Sequence, residues 1–152
     1  MGVYLLYPVF MDDLWAFLTS VKHAEFEACE AEKTLFGKAE VSVYKEARDV
    51  VCFDERGLWS PGNRSFYNTY RWKREASGAI HLYRKRFEGD GWTLLACFVQ
   101  DNKGLWVSRE PHLCGEDCYQ ASLEKDGANL VLKWTIRGPK KSITVEVRYS
   151  SA

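Results

Sequence analysis

The chain has 152 residues, 46% of them hydrophobic and 14% aromatic, enough for one buried core and too apolar for a disordered chain. Its 21 lysines and arginines balance its 21 aspartates and glutamates, so no net field draws it to nucleic acid or to an anionic membrane. No apolar run approaches the roughly 18 residues of a membrane-spanning helix.

Residues 1–10 are apolar but lack a basic start and a small-residue cleavage site, so no secretory leader is expected. The five cysteines, Cys29, Cys52, Cys97, Cys114 and Cys118, are therefore expected as free thiols in the cytoplasm. Asp12 and Asp13 can cap a helix, and Leu14, Trp15, Phe17, Leu18 and Val21 follow at helical spacing, which predicts a helix over 12–21. From about residue 23 the period becomes two. Ala39, Val41 and Val43 alternate with Glu40, Ser42 and Tyr44; residues 50–53 read as extended, and Glu55-Arg56-Gly57 reads as a turn.

Further strands are expected over 65–74, 80–87, 92–100, 119–124, 130–137 and 142–149. Between them stand Ala76-Ser77-Gly78, Gly89-Asp90-Gly91, Asp101-Asn102-Lys103-Gly104, Lys125-Asp126-Gly127 and Gly138-Pro139. Connections this short join antiparallel neighbours. No helical segment separates the strands, which excludes a parallel α/β sheet. A long meander exposes its edges unless it closes on itself. The expected fold is therefore all-β: a lipocalin-like (calycin) antiparallel meander barrel of about 8–10 strands with a short N-terminal helix, one domain over 1–152.

The faces of the last two strands are ordinary, with Leu130, Leu132, Trp134 and Ile136 on one side, and Ile143, Val145, Val147 and Tyr149 likewise. The middle strands are mixed. Phe66, Asn68, Tyr70 and Trp72 oppose Tyr67, Thr69, Arg71 and Lys73; Ile80, Leu82, Arg84 and Arg86 oppose His81, Tyr83, Lys85 and Phe87. Either choice of inside puts polar groups beside aromatics. A barrel holding a small ligand has this character, with apolar walls and a few placed donors. The plainer reading has the polar groups in water and their aromatic neighbours on the outside. Arg71, Arg84, Arg86 and Arg137 are candidate partners for an anionic ligand, because a guanidinium binds carboxylate or phosphate in bidentate fashion. Tyr70, Trp72 and Trp134 would line the cavity.

The segment Pro111-His112-Leu113-Cys114-Gly115-Glu116-Asp117-Cys118-Tyr119 concentrates reactive side chains. Three readings compete. His112, Cys114 and Cys118 could bind zinc, although H-x-C-x3-C matches no standard finger. Cys114 and His112 share a strand face and could form a thiolate pair, without an accompanying oxyanion-hole signature. Or the loop is structural, with Asp117 holding local backbone amides and His112 bonded at the barrel mouth. Lys140 and Lys141 follow the Gly138-Pro139 turn, either solvated or steering an anion to that rim.

The same motifs resemble a family of small bacterial and eukaryotic domains of unknown function. Phe36-Gly37-Lys38-Ala39-Glu40-Val41 is similar to its opening F-x-G-x-A-x-F, Tyr44-Lys45-Glu46 to Y-x-E, Tyr70-Arg71-Trp72 to Y-x-W, and Arg86-Phe87 to an R-F pair. His112, Cys114, Asp117 and Tyr119 resemble H-x-C-x-x-D-x-Y. Trp134, Ile136, Gly138, Pro139 and Lys141 resemble W-x-V-x-G-P-x-K, and Tyr149 a terminal Tyr. The resemblance implies a calycin-like fold rather than an activity. Where that family carries Phe-His after the R-F pair, this chain reads Trp92-Thr93-Leu94-Leu95, leaving His81 as the candidate substitute.

The function expected is binding of a small, partly apolar ligand, an anionic one included, in the barrel cavity. Its site would comprise Tyr70, Arg71, Trp72, His81, Arg84, Arg86, Trp134 and Arg137, with His112, Cys114, Asp117 and Tyr119 forming or bracing the mouth. The alternatives are an enzyme using His112, Asp117 or Cys114, and a protein-interaction module with a filled barrel. No cofactor is expected, although haem on His81 or His112, or zinc, is chemically conceivable. Nucleic acid and membrane are not expected partners.

Overall fold

The structure, a computed structural model, describes residues 11–85, 91–110 and 112–152, with all their side chains except those of Met11, Asp12, His112 and Cys114. Residues 1–10, Arg86, Phe87 and the first two residues of the turn expected at 89–91 thus lie outside the described residues. Helix α1 (Met11–Ser20) is followed by β1 (His23–Glu30), β2 (Lys33–Ala47), β3 (Val50–Ser60), β4 (Arg64–Arg74), β5 (Ile80–Lys85) and β6 (Trp92–Gln100). Then come β7 (Trp106–Ser108), β8 (His112–Cys114), β9 (Asp117–Asp126), β10 (Asn129–Arg137) and β11 (Ser142–Ser150). Each strand pairs antiparallel with its neighbours, and β1–β11 and β9–β10 pairing closes the ring. Ten strands form the closed antiparallel barrel of the expected lipocalin-like kind; the short β8 pairs with β9 alongside the ring. Closure removes the free edges that an open sheet of this size would carry.

The helix presents Leu14, Trp15 and Leu18 to the core and leaves Asp13, Ala16, Thr19 and Ser20 exposed, the stripe that its 3.6-residue period dictates. It packs at the end of the barrel where Arg74 stacks its guanidinium 4.8 Å from the Trp15 ring, here termed the lower end. Among the described residues no helix is long and apolar enough to cross a membrane.

Three local features differ from the sequence reading. Glu55-Arg56-Gly57 is not a turn: β3 runs through it to Ser60, and the chain reverses at 61–63, where Gly62 and Asn63 take positive φ of 98° and 49°. Gly57 serves close approach instead. A Cβ there would overlap the Lys38 carbonyl oxygen and the Phe66 ring. Second, β7 and β8, three residues each, are too short to show an alternation. Third, a bulge between β5 and β6 pairs Leu82 with Ala96 but Tyr83 with Leu94. The extra residue carries Thr93 to the face of Arg84, its partner, where strict alternation would have opposed it to Ala96.

The lower half of the barrel is filled. Phe53, Trp72, Ile80, Leu82, Phe98, Leu123, Leu130 and Tyr149 are each at most 1% exposed. Trp72 sits 5.7 Å from Phe53 and 6.2 Å from Phe98, centroid to centroid. The same inward rows continue upward into residues that solvent reaches. Above Leu132 and Val147 stand Trp134, Ile136, Val145 and Ile143, all half-buried.

Candidate functional site

The boundary between the two halves is marked by a carboxyl group. Glu55 faces inward from the middle of β3, opposite Val41 on one side and Asn68 on the other, and is 0% exposed. Tyr149 Oη donates to its Oε2 at 2.7 Å, and Asn68 Nδ2 donates to its Oε1 at 3.4 Å. Arg84 Nη2 in turn donates to Asn68 Oδ1 at 3.0 Å. The two partners of Asn68 fix its amide orientation, since its NH2 must face the carboxyl and its oxygen the guanidinium. The four residues come from β3, β4, β5 and β11, so only the closed barrel brings them together.

Burial pushes the Glu55 carboxyl up to about 7; its hydrogen bonds from Tyr149 and Asn68 and the nearby Arg84 charge act the other way. Desolvation prevails because a fully buried carboxylate forfeits its hydration. Burial, and then the Glu55 charge, raise the Tyr149 phenol well above its ordinary value, and the Tyr70 phenol is raised for the same two reasons, against the lowering effect of Arg84. Both phenols are held neutral, and Tyr149 donates to the carboxyl. The Glu55 carboxyl is left close to the point where it exchanges charge for a proton at neutral pH.

Above this network the inner wall is mostly apolar and half-exposed. Phe26, Trp59 and Phe66 form a cluster with centroids 5.1–5.7 Å apart. Two glycines make room for it: Gly37 pairs across strands with Trp59, and Gly57 with Phe66. Rings lying over cross-strand glycines restore packing that the missing side chains would forfeit. Trp134, Ile136, Val145 and Thr93 complete the wall.

At the rim, the β8–β9 register sets His112 opposite Tyr119 and Cys114 opposite Asp117, so all four positions share one face of that hairpin. Asp117 accepts an ion pair from Lys141 Nζ at 3.0 Å, and the Asp117 carboxylate occupies the space that a Cβ on Gly138 would need. The D of H-x-C-x-x-D-x-Y and the G-P-x-K segment are thus parts of one contact.

The residues singled out from the sequence fall into four groups. Tyr70, Arg84 and Trp134 stand on the inner wall, with Trp72 beneath them in the packed half. Asp117 and Tyr119, with His112 and Cys114 by register, stand at the rim. Arg71, His81 and Arg137 belong to the outer face. Arg71 pairs with Glu46 at 2.8 Å and lies 4.2 Å from the Trp92 ring; His81 Nδ1 is 3.2 Å from Glu75 and 3.3 Å from Tyr83 Oη. Arg137 is exposed. Arg86 is outside the described residues. Glu55, Asn68 and Tyr149 were not among the expected site residues. Alternation did place Asn68 beside Tyr70 and Trp72, but Glu55 was hidden by its place in an apparent turn.

Another concavity, of about 810 Å³, lies on the outer face of β1–β3 and β11, lined by Glu25, Lys38, Glu40, Arg56, Leu58 and Arg148 among others. Its charges are of both signs and it is open to solvent. Phe26, Phe36 and Trp59 also line it.

Comparison with known families matches residues 12–151 to a family of unknown function (DUF6314). No curated protein matches the chain.

Proposed function

This chain belongs to the DUF6314 family, and we propose that it binds a small, partly apolar molecule in the upper half of its barrel, in the manner of calycin-like carriers. One observation carries the reading. Along the inward-facing rows of β3, β10 and β11, side chains are buried below Glu55 and half-exposed above it, while Phe26, Ala39 and Ala121 of the upper wall stay buried. The exposed part is lined by Trp59, Phe66, Trp134 and Ile136, apolar surface that a monomer gains by covering. A wall with a few convergent polar groups at its floor has the composition of a ligand site. The free thiols of Cys29, Cys52, Cys97 and Cys118 favour a reducing compartment, the cytoplasm, as the place of action.

The test is native mass spectrometry of the freshly purified protein, followed by titration of the stripped protein with the neutral fluorophore N-phenyl-1-naphthylamine. A co-purifying small molecule, or saturable one-to-one binding weakened several-fold by Trp134→Ala, is expected. The absence of both a co-purifying adduct and saturable binding would overturn the proposal.

A further inference from the structure

Building on that ligand-binding reading, we infer that the ligand carries an oxyanion group, a carboxylate or its like, which Arg84 receives at the upper edge of the Glu55 network. Among the described residues Arg84 is a cation on the inner wall: its strand partners Tyr70 and Thr93 share that face. Among the described residues no carboxylate lies within ion-pair distance of it. Acidic groups elsewhere on the barrel have partners of their own. Asp117 at the rim holds Lys141, and Glu46 on the outside holds Arg71. Glu55 lies below, fully buried and bonded to Tyr149 and Asn68, and its burial favours the neutral form. The other polar groups facing this position, Asn68 and Tyr70 from β4, Thr93 from β6 and Tyr149 from β11, carry no opposing charge.

Geometry then says how the cation would be used. A guanidinium has five N–H donors, and the described structure engages one nitrogen, Nη2, with Asn68 Oδ1. Asn68 is itself anchored by Glu55, so one edge of the guanidinium is fastened, while Arg84 as a whole is exposed. An oxyanion can take two parallel N–H bonds from such a fork. Because Asn68 and Glu55 already restrain the side chain, little ordering is left to oppose binding. Asn68 and Glu55 are positioning residues; Arg84 makes the contact. The apolar body of the ligand would lie along Trp134 and the Trp59–Phe66 pair.

Two probes sharing one aromatic skeleton separate this inference from the reading it rests on. 8-Anilinonaphthalene-1-sulfonate is anionic, and N-phenyl-1-naphthylamine lacks the sulfonate. The anionic probe is expected to bind roughly tenfold more tightly, the ratio that a charge-assisted hydrogen bond supplies, and the advantage should shrink with added salt. Arg84→Gln should abolish this advantage, Arg84→Lys should keep part of it, and Arg71→Gln, on the outer face, should affect neither probe. If neither probe binds saturably, the ligand-binding reading itself falls. If both bind with equal affinity, or if Arg84→Gln retains the preference, the anion assignment falls alone. Near-UV circular dichroism establishes that each variant is folded. Should Arg84→Gln not fold, the ratio of the two probes on the unaltered protein and its salt dependence decide the matter.

Discussion

Glu55 shows what a single residue can contribute at a cost to stability. Its carboxyl ionises near 4.5 in an unfolded chain and at about 7 in the folded barrel. Between those values the folded state holds a proton that the unfolded state has lost, so stability declines as pH rises. The contribution is fully present below pH 4.5 and is lost as pH passes 7, roughly 3 kcal/mol over the whole window. Glu55→Gln carries no titrating proton there. Thermal unfolding followed between pH 5 and pH 8 should show a fall in Tm for the unaltered protein that is clearly smaller in Glu55→Gln. Parallel curves for the two proteins would show that Glu55 ionises as an ordinary carboxyl. A buried group that costs stability at neutral pH, at the floor of an open wall, is the kind of local penalty that sites of function carry.

At the scale of elements, the β10–β11 turn and the start of β9 are locked through Gly138, Asp117 and Lys141. The turn closes with Gly138 N–H donating to the Lys141 carbonyl at 2.9 Å. Lys141 reaches back to Asp117, and the absence of a side chain on Gly138 lets the carboxylate seat there. Gly138→Ala should lower stability by about 1–3 kcal/mol, the usual cost of forcing a methyl into occupied space. Asp117→Ala alone should cost less, because it removes a solvent-accessible pair. The double variant should recover much of the loss caused by Gly138→Ala, since the group it collides with is gone. Urea unfolding of the four proteins measures this coupling, and strictly additive losses would contradict it. A cross-strand lock of this kind was only half visible beforehand: the turn residues were plain from Gly138-Pro139, but nothing local pairs Asp117 with a lysine 24 positions later. The bulge that turns Thr93 inward was likewise hidden, because a strand's own alternation does not record an extra residue in its partner's register.

The whole molecule is a ring closed around two unlike halves. The lower half is packed by the helix and the large side chains from Phe53 to Tyr149, and the half-buried Trp59, Phe66, Trp134 and Val145 of the upper half pack against that core. Local stability should follow. Hydrogen-bonded amides around Val51–Phe53, Ile80–Leu82 and Leu130–Leu132 should exchange slowest, by global unfolding, while those of β8 and the upper turns of β9 and β10 should exchange through smaller openings. Hydrogen exchange read by mass spectrometry checks this. Uniform protection along the strands would mean that the upper half is as tightly held as the lower, and that it has no freedom to admit a ligand.

The sequence by itself determined the class of fold, because period-two alternation and hairpin-length gaps are local properties and an unclosed meander is unfavourable. It also determined the helix, the inward rows of β10 and β11, and the choice of Tyr70, Trp72 and Trp134 as ring candidates for the inner face. Only the tertiary structure decided which arginines share that wall. Arg71 and Arg84 both stand among aromatics in sequence, but neighbours on a strand face opposite ways, and which way is inside depends on how ten strands close. The Glu55–Asn68–Tyr149 network needed closure for the same reason. Its carboxyl and phenol stand 94 residues apart, and only burial inside the finished barrel turns a surface-type residue in an apparent turn into the centre of a buried polar network.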